Sequence, residues 1–347
     1  MRDKINITII GASGYTGAEL IRILSTHANA NIVNLTADSQ AGKHISEVYP
    51  HLHFKNLPKL ISIDEVDFSG TDLVFCCLPH GTTQSVISSL PKNLKIIDLS
   101  ADFRLHDTDT YAQWYGHKHK AMELQKEAVY GLCEHNRDKI KNSHLIANPG
   151  CYPTTSSLPL IPLLSSKMIS ENGIIIDAKS GVTGAGRSVT QANLYSETNE
   201  GIKAYGVGGH RHLPEIEQNL SIAAGSDISV TFTPHLMPMN RGILSTIYVN
   251  LSDGITINDI RKKLHNSYDS EYFVHVLPEG VLPSTSQVRG TNDCMINIFP
   301  DRIKNRAIIV SVTDNLMKGA SGQAVQNMNI MFGLSEKTGL EFSAIFP

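Results

Sequence analysis

Over the first 150 positions, short apolar runs alternate with helical stripes. Ile5–Ile10 is apolar enough for a strand buried on both faces, and Gly11 ends it. From Tyr15 to about His27, Leu20, Ile21, Leu24 and Ala28 recur at three- and four-residue spacing, which predicts an amphipathic helix. Further strands are expected at 31–37, 72–78, 94–99 and 144–147, with a short helical stripe of Val86, Ile87 and Leu90 after Gly81. This rhythm predicts an α/β domain of Rossmann type, a doubly wound parallel sheet covered on both faces.

After Cys151 the pattern changes. Pro153, Pro159 and Pro162 crowd an otherwise helical segment, so a helix is expected only over its first turns. Strand-like stretches follow at 173–177, 228–233, 243–251, 272–277 and 294–299, interrupted by one clear helix at Ile257–Tyr268. Long strands with few helices between them predict a second, α+β domain with a mostly antiparallel sheet. A strand at 306–314 precedes a helical face of Ala320, Ala324, Met328 and Met331. The expected division is 1–150, with a C-terminal helix 318–347 packing back on it, and 151–317.

Charge and composition narrow the function. With 30 Lys+Arg against 33 Asp+Glu, the net charge of −3 argues against a protein that coats nucleic acid or an anionic membrane. Five cysteines with no C-x-x-C pair argue against a disulfide framework and a thiolate zinc site, and no metal is expected. No apolar run approaches the roughly 20 residues that span a bilayer. The chain passes from Met1 straight into a strand with no room for a signal peptide, so a reducing, cytoplasmic setting is expected.

Gly11-Ala12-Ser13-Gly14-Tyr15-Thr16-Gly17 lies between the first strand and the first helix. Glycines there allow a tight turn and close backbone approach, and the helix N-terminus presents N–H groups to a pyrophosphate. The spacing is G-x-x-G-x-x-G; its placement makes it a dinucleotide signal. Asp38, near the end of the second strand, suits a ribose 2′-hydroxyl, whereas Ser39, Gln40 and Lys43 suit a 2′-phosphate. NAD and NADP both stay open on spacing alone.

Asn148-Pro149-Gly150-Cys151-Tyr152-Pro153-Thr154 follows a strand and opens a helix-like segment, so Cys151 falls where a helix dipole favours thiolate. Cys76, Cys77 and Cys294 lie in apolar strands. A nucleophilic thiolate beside a nicotinamide domain implies hydride transfer at the acyl-thioester level. An acid/base partner is sought among 15 histidines. Gly208-Gly209-His210-Arg211-His212-Leu213-Pro214-Glu215-Ile216 is the leading segment, with His80 a second loop histidine. Arg104, Arg187 (in a glycine-rich cationic loop, 179–187) and Arg241 are candidate clamps for carboxylate or phosphate oxygens.

With these residues in hand, the chain resembles the N-acetyl-γ-glutamyl-phosphate reductase family of arginine biosynthesis, relatives of aspartate-semialdehyde dehydrogenase. The match runs nearly end to end: residues 11–17, Leu78-Pro79-His80-Gly81, 99–104, 148–154, 209–216, Thr233-Pro234-His235-Leu236 with Asn240-Arg241-Gly242, and Thr313-Asp314-Asn315-Leu316 with Lys318-Gly319. The resemblance implies NADPH-dependent reduction of an acyl phosphate, N-acetyl-γ-glutamyl phosphate, to the semialdehyde with release of phosphate. It implies Cys151 as the acylated nucleophile and His212, or else His210, as acid/base. It implies Ser13, Gly14, Tyr15 and Thr16 at the cofactor phosphates, Ser39 at the 2′-phosphate and Asn315 at the nicotinamide carboxamide. A homo-oligomer, dimer or tetramer, built through the second domain is implied as well. A reductase of a related acyl phosphate (aspartyl, or carrier-bound glutamyl or aminoadipyl) and a non-catalytic NADP-binding regulator remain the rival readings.

Overall fold

A computed structural model describes residues 4–346. Two units emerge, residues 4–149 with 320–341, and residues 150–319 with 342–346. No helix among the described residues is long and apolar enough to cross a membrane.

The first unit is built on a seven-stranded sheet of β1 (Ile5–Ile10), β2 (Ala30–Thr36), β3 (Leu60–Ile61), β4 (Leu73–Cys76), β5 (Lys95–Asp98), β6 (Val129–Tyr130) and β7 (Leu145–Ala147). Its order is β3-β2-β1-β4-β5-β7-β6, with every pairing parallel. The chain winds one way from β1 and the other way from β4, so the sheet reverses direction between these two strands. In such sheets ligands bind at the carboxyl ends of the strands beside that reversal. All four residues of β4 and five of six in β1 are buried, as a sheet covered on both faces requires.

The terminal helix Gly322–Met331 belongs to this unit and is buried along its whole length. It is shorter than the expected segment: a π-helical turn, Met317–Ser321, precedes it, and residues 342–346 group with the second unit, where Ile345 N–H bonds Arg289 O at 2.9 Å. Burying Gln323, Asn327 and Asn329 requires partners. Gln323 Nε2 and Asn327 Nδ2 both donate to Gly131 O at 2.9 Å, and Asn329 Nδ2 donates to Glu336 O and Thr338 O.

The second unit carries β8 (Ile175–Gly181), β9 (Lys203–Ala204), β10 (Thr231–Met237), β11 (Ile243–Asn250), β12 (Val274–Val276), β13 (Cys294–Pro300) and β14 (Arg306–Thr313). They form one sheet in the order β12-β13-β14-β11-β8-β10-β9. It is mixed and mostly antiparallel; β10 pairs with β8, and β12 with β13, in parallel. Against it lies the helix Cys151–Ser165, which runs fifteen residues where only its first turns were expected. Pro153 sits in the first turn, where no intrahelical N–H is needed. Pro162 leaves the carbonyl of Leu158 without its helical donor, and the Tyr268 hydroxyl donates to that carbonyl instead. The helix continues because a side chain from Ile257–Tyr268 replaces the missing bond.

His27 gives the first unit a pH-dependent anchor. It is buried, its Nδ1 accepts the Asn29 N–H at 3.2 Å, and its Nε2 pairs with Asn329 Oδ1 at 3.0 Å on the terminal helix. Those partners fit the neutral ring, and burial lowers its pKa from the ordinary 6.5, against the pull of its hydrogen bonds. A depressed folded pKa means this stabilisation is present above the unfolded value and is lost as pH falls through the folded one. Urea midpoints should therefore fall between about pH 7 and about pH 5, and His27→Gln should flatten part of that fall. An identical slope in the variant would remove His27 from the account.

Candidate active site

In the first unit the loop after β1 meets the end of β4. Gly11 has φ +81°, and a Cβ there would lie 2.7 Å from the carbonyl oxygen of Cys77. Gly17, one turn into the helix Tyr15–Leu24, would place its Cβ 2.7 Å from the backbone of Ala12. Gly14 caps that helix with an extended backbone and no side-chain cap, and a Cβ built there would meet nothing nearer than Gly11 O at 3.7 Å. Gly11 thus lets the loop close on the chain after β4 and Gly17 lets the helix close on the loop, while Gly14 leaves open space at a positively polarised helix end. That cradle fits a dinucleotide pyrophosphate. Ser13, Tyr15 and Thr16 line the same turn and are partly exposed, with Tyr49 Oη donating to Ser13 O at 2.8 Å and Ser321 Oγ to Thr16 O at 2.9 Å. Asp38 and Ser39 are exposed just beyond β2, with Lys43 Nζ on Gln40 Oε1 at 2.9 Å.

Arg104 is buried in the first unit, where Nε donates to Asn148 O at 2.8 Å and an Nη to Leu99 O at 2.9 Å. A guanidinium serves here to satisfy carbonyls beyond the ends of β5 and β7. Asp102, fully buried, accepts the N–H groups of Gly81 and Thr83 and the hydroxyl of Tyr111, which fixes the backbone after His80. His80 itself is exposed, edge-on to Tyr115.

In the second unit Cys151 is the first residue of its helix, partly exposed, and Gly150 is the cap at φ −68°, ψ 154°. Gly319 lies against it: a Cβ on that glycine would be 2.8 Å from Cys151 Cβ. The next residue, Tyr152, is buried and touches the rings of His210 (centroids 5.6 Å apart), His212 (5.9 Å) and Phe232 (5.3 Å). Its hydroxyl lies 3.0 Å from that of Tyr205. Burial raises both phenols, Tyr205 to about 12, so both are neutral hydrogen-bonding groups at neutral pH.

The two histidines differ. His210 Nδ1 accepts the N–H of His212 at 3.1 Å, closing the turn that leads into the helix Leu213–Ala224. Burial, with the Arg211 charge adding, pushes His210 down to about 4. His212 is the cap residue of that helix and is partly exposed. Three residues on, Glu215 is 1% exposed and accepts the Gly150 N–H at 2.8 Å.

Motifs distant in sequence close together beside this cluster. Val182 N–H and Thr183 N–H bond the carbonyls of Met239 and Asn240, and Asn315 ties both strands of that junction, accepting Gly242 N–H and donating to Thr183 Oγ1, each at 2.8 Å. Asn315 is a buried brace, with both ends of its amide engaged in the second unit. Arg241 reaches the buried Asp314 at 3.5 Å and stays partly exposed, whereas Arg187 is exposed in the loop beyond Val182–Ala185. Among the described residues no three His, Cys, Asp or Glu side chains converge on a metal site.

The geometry can now be set against known proteins. A family model described as the NAD binding domain of semialdehyde dehydrogenase matches residues 6–143, and one described as its dimerisation domain matches 151–315. A protein of Arabidopsis thaliana named probable N-acetyl-gamma-glutamyl-phosphate reductase, chloroplastic, is 58% identical over 99% of this chain and 86% of its own length. The N-acetyl-gamma-glutamyl-phosphate reductase of Rhodospirillum rubrum is 54% identical over the full length of both. The chain belongs to the N-acetyl-gamma-glutamyl-phosphate reductase family. Among solved structures, aspartate semialdehyde dehydrogenase II of Vibrio cholerae matches with a TM-score of 0.73 at 15% identity, over 95% of this chain and 99% of that one. The Candida albicans enzyme solved with NADP matches at 0.67 and 16%, over 95% and 99%. At such identities these two structures speak for the fold.

The glycine geometry separates nucleotide binding from folding. Gly14→Ala should leave the melting temperature near the native value while weakening dinucleotide binding about tenfold or more, since its methyl enters the cradle. Gly17→Ala should instead destabilise the first unit by about 1–3 kcal/mol. Calorimetric unfolding and nucleotide titration check both, and equal effects at the two positions would contradict the assignment.

Proposed function

We propose that the protein reduces N-acetyl-γ-glutamyl phosphate to N-acetylglutamate 5-semialdehyde with NADPH, releasing phosphate through a thioester on Cys151. The observation that carries the reading is Cys151 at the start of its helix, with His212 packed on the adjacent Tyr152, in a chain 58% identical to a relative of that name. Bound in the glycine cradle of the first unit, with Ser39 and Lys43 at the 2′-phosphate, NADPH supplies the hydride. The Cys151 sulfur forms a bond to the acyl carbon, and the bond from that carbon to the phosphate oxygen breaks. The His212 imidazole gives a proton to the oxygen of the reduced thioester, then takes it back as the C–S bond breaks and the aldehyde leaves. Glycine at the cap leaves the first turn of the Cys151 helix without a side-chain cap, which favours its amides as donors to the developing oxyanion. His210 stays neutral and holds the turn, which favours His212 over it as acid/base. Arg104, Arg187 and Arg241 are the arginines for the substrate's anionic groups.

The reading extends to self-association. Between β8 and β10 the second unit exposes Val189 (89%), Tyr195 (79%), Ile202 and Val207, a run of apolar side chains suited to burial against another copy. The matching family model is itself described as a dimerisation domain. A reducing, cytoplasmic compartment belongs to this reading; the plant relatives are named chloroplastic.

Phosphate-dependent reduction of NADP by N-acetylglutamate semialdehyde, the reaction in reverse, is the direct assay. Cys151→Ser should lower turnover about 10³-fold or more, and His212→Asn about 10²-fold, with nucleotide affinity unchanged in both. Robust turnover by the serine variant would refute the nucleophile. Separately, Val189→Asp with Tyr195→Glu should shift the sedimenting mass toward a single chain, and an unchanged mass would place self-association elsewhere.

A further inference from the structure

The Cys151 helix has an anchoring problem. Its cap is Gly150, which has no side chain, and its third residue is Pro153. In many helices a Glu or Gln at the third position reaches back to the cap residue's N–H and fixes the entry of the chain. Proline cannot. The cap N–H is buried with its residue and must be satisfied.

The geometry points to Glu215 as a positioning residue for the nucleophile: its carboxylate, from the neighbouring helix, performs the missing half of a capping box. Glu215 Oε1 accepts the Gly150 N–H at 2.8 Å, and the side chain is 1% exposed. It lies in the first turn of Leu213–Ala224, where that helix's own dipole favours a carboxylate. Two facts make the contact more than structural filler. Gly150 directly precedes Cys151, so the bond sets the backbone from which the thiol projects. His212 caps the helix that carries Glu215, so one rigid element fixes the thiol's backbone and the imidazole together. This role rests on Cys151 as the nucleophile, and misplacement by about 1 Å costs about a hundredfold in rate.

What the role demands is an acceptor oxygen at the right reach; negative charge is dispensable. Glu215→Gln keeps the reach without the charge, and Glu215→Asp keeps the charge but withdraws the oxygen. The measurements are kcat and KM in the reverse assay, the melting temperature, and the rate at which iodoacetamide alkylates Cys151, located by peptide mass spectrometry. We expect Glu215→Gln to stay within about threefold of the native protein on each rate. Glu215→Asp should lose about tenfold or more in both kcat and alkylation rate, with KM within about twofold. A Gln variant as impaired as the Asp variant, or an Asp variant of native activity, overturns the proposal. So does a loss that follows the melting temperature alone with alkylation unchanged. Alkylation needs no turnover, so a native protein that fails the reductase assay while keeping this Gln–Asp contrast would refute the activity and leave the positioning role standing.

Discussion

A helix that starts with glycine and carries proline in its first turn cannot fix its own beginning, and this constraint governs the second unit. The Cys151 helix begins where the chain enters that unit, is buried over most of its length, and carries the Cys151 sulfur on its first residue. Two defects in its sequence are met from elsewhere: Glu215 takes the cap N–H, and Tyr268 takes the carbonyl that Pro162 strands. Small polar residues complete the fit, with Thr155 Oγ1 2.7 Å from Thr313 Oγ1 and Asn219 donating to Ser157 Oγ at 3.3 Å. The helix is therefore specified by its neighbours more than by its own propensity.

That dependence explains what the chain shows when read alone. The parallel sheet was legible because β4 is apolar on both faces and β1 carries isoleucine at four of its six positions, a pattern few other environments tolerate. The glycine turn and the cysteine were legible because each stands at a junction between a strand and a helix. The length of the Cys151 helix was hidden, since Pro159 and Pro162 forbid it locally and the compensating hydroxyl lies 110 residues away. Two-residue strands such as β9 were hidden for a related reason: they exist only through their partners.

Arginine shows the limit most clearly. The same fork of donors suits a substrate carboxylate and a pair of backbone carbonyls. Arg104 donates to the carbonyls of Asn148 and Leu99 and Arg241 leans on Asp314, and nothing in residue type or spacing announces these contacts. Asn315 is similar: an amide suited to a carboxamide ligand is equally suited to bridging Gly242 and Thr183. Burial decides, and burial is a property of the fold.

The paired histidines carry this logic into the chemistry. A separation of two residues lets the His210 ring accept the His212 N–H, a side-chain copy of a backbone turn. A ring that accepts at Nδ1 must keep that nitrogen unprotonated, and its burial among Tyr152, Tyr205 and Phe232 reinforces the neutral form. The residue that shapes the turn is thereby withdrawn from proton transfer near neutral pH. His212 stands at the head of the Glu215 helix, which ties its placement to the backbone before Cys151. The pair thus differs through one hydrogen bond, from the backbone N–H of His212 to the ring of His210, whose direction follows from their order along the chain.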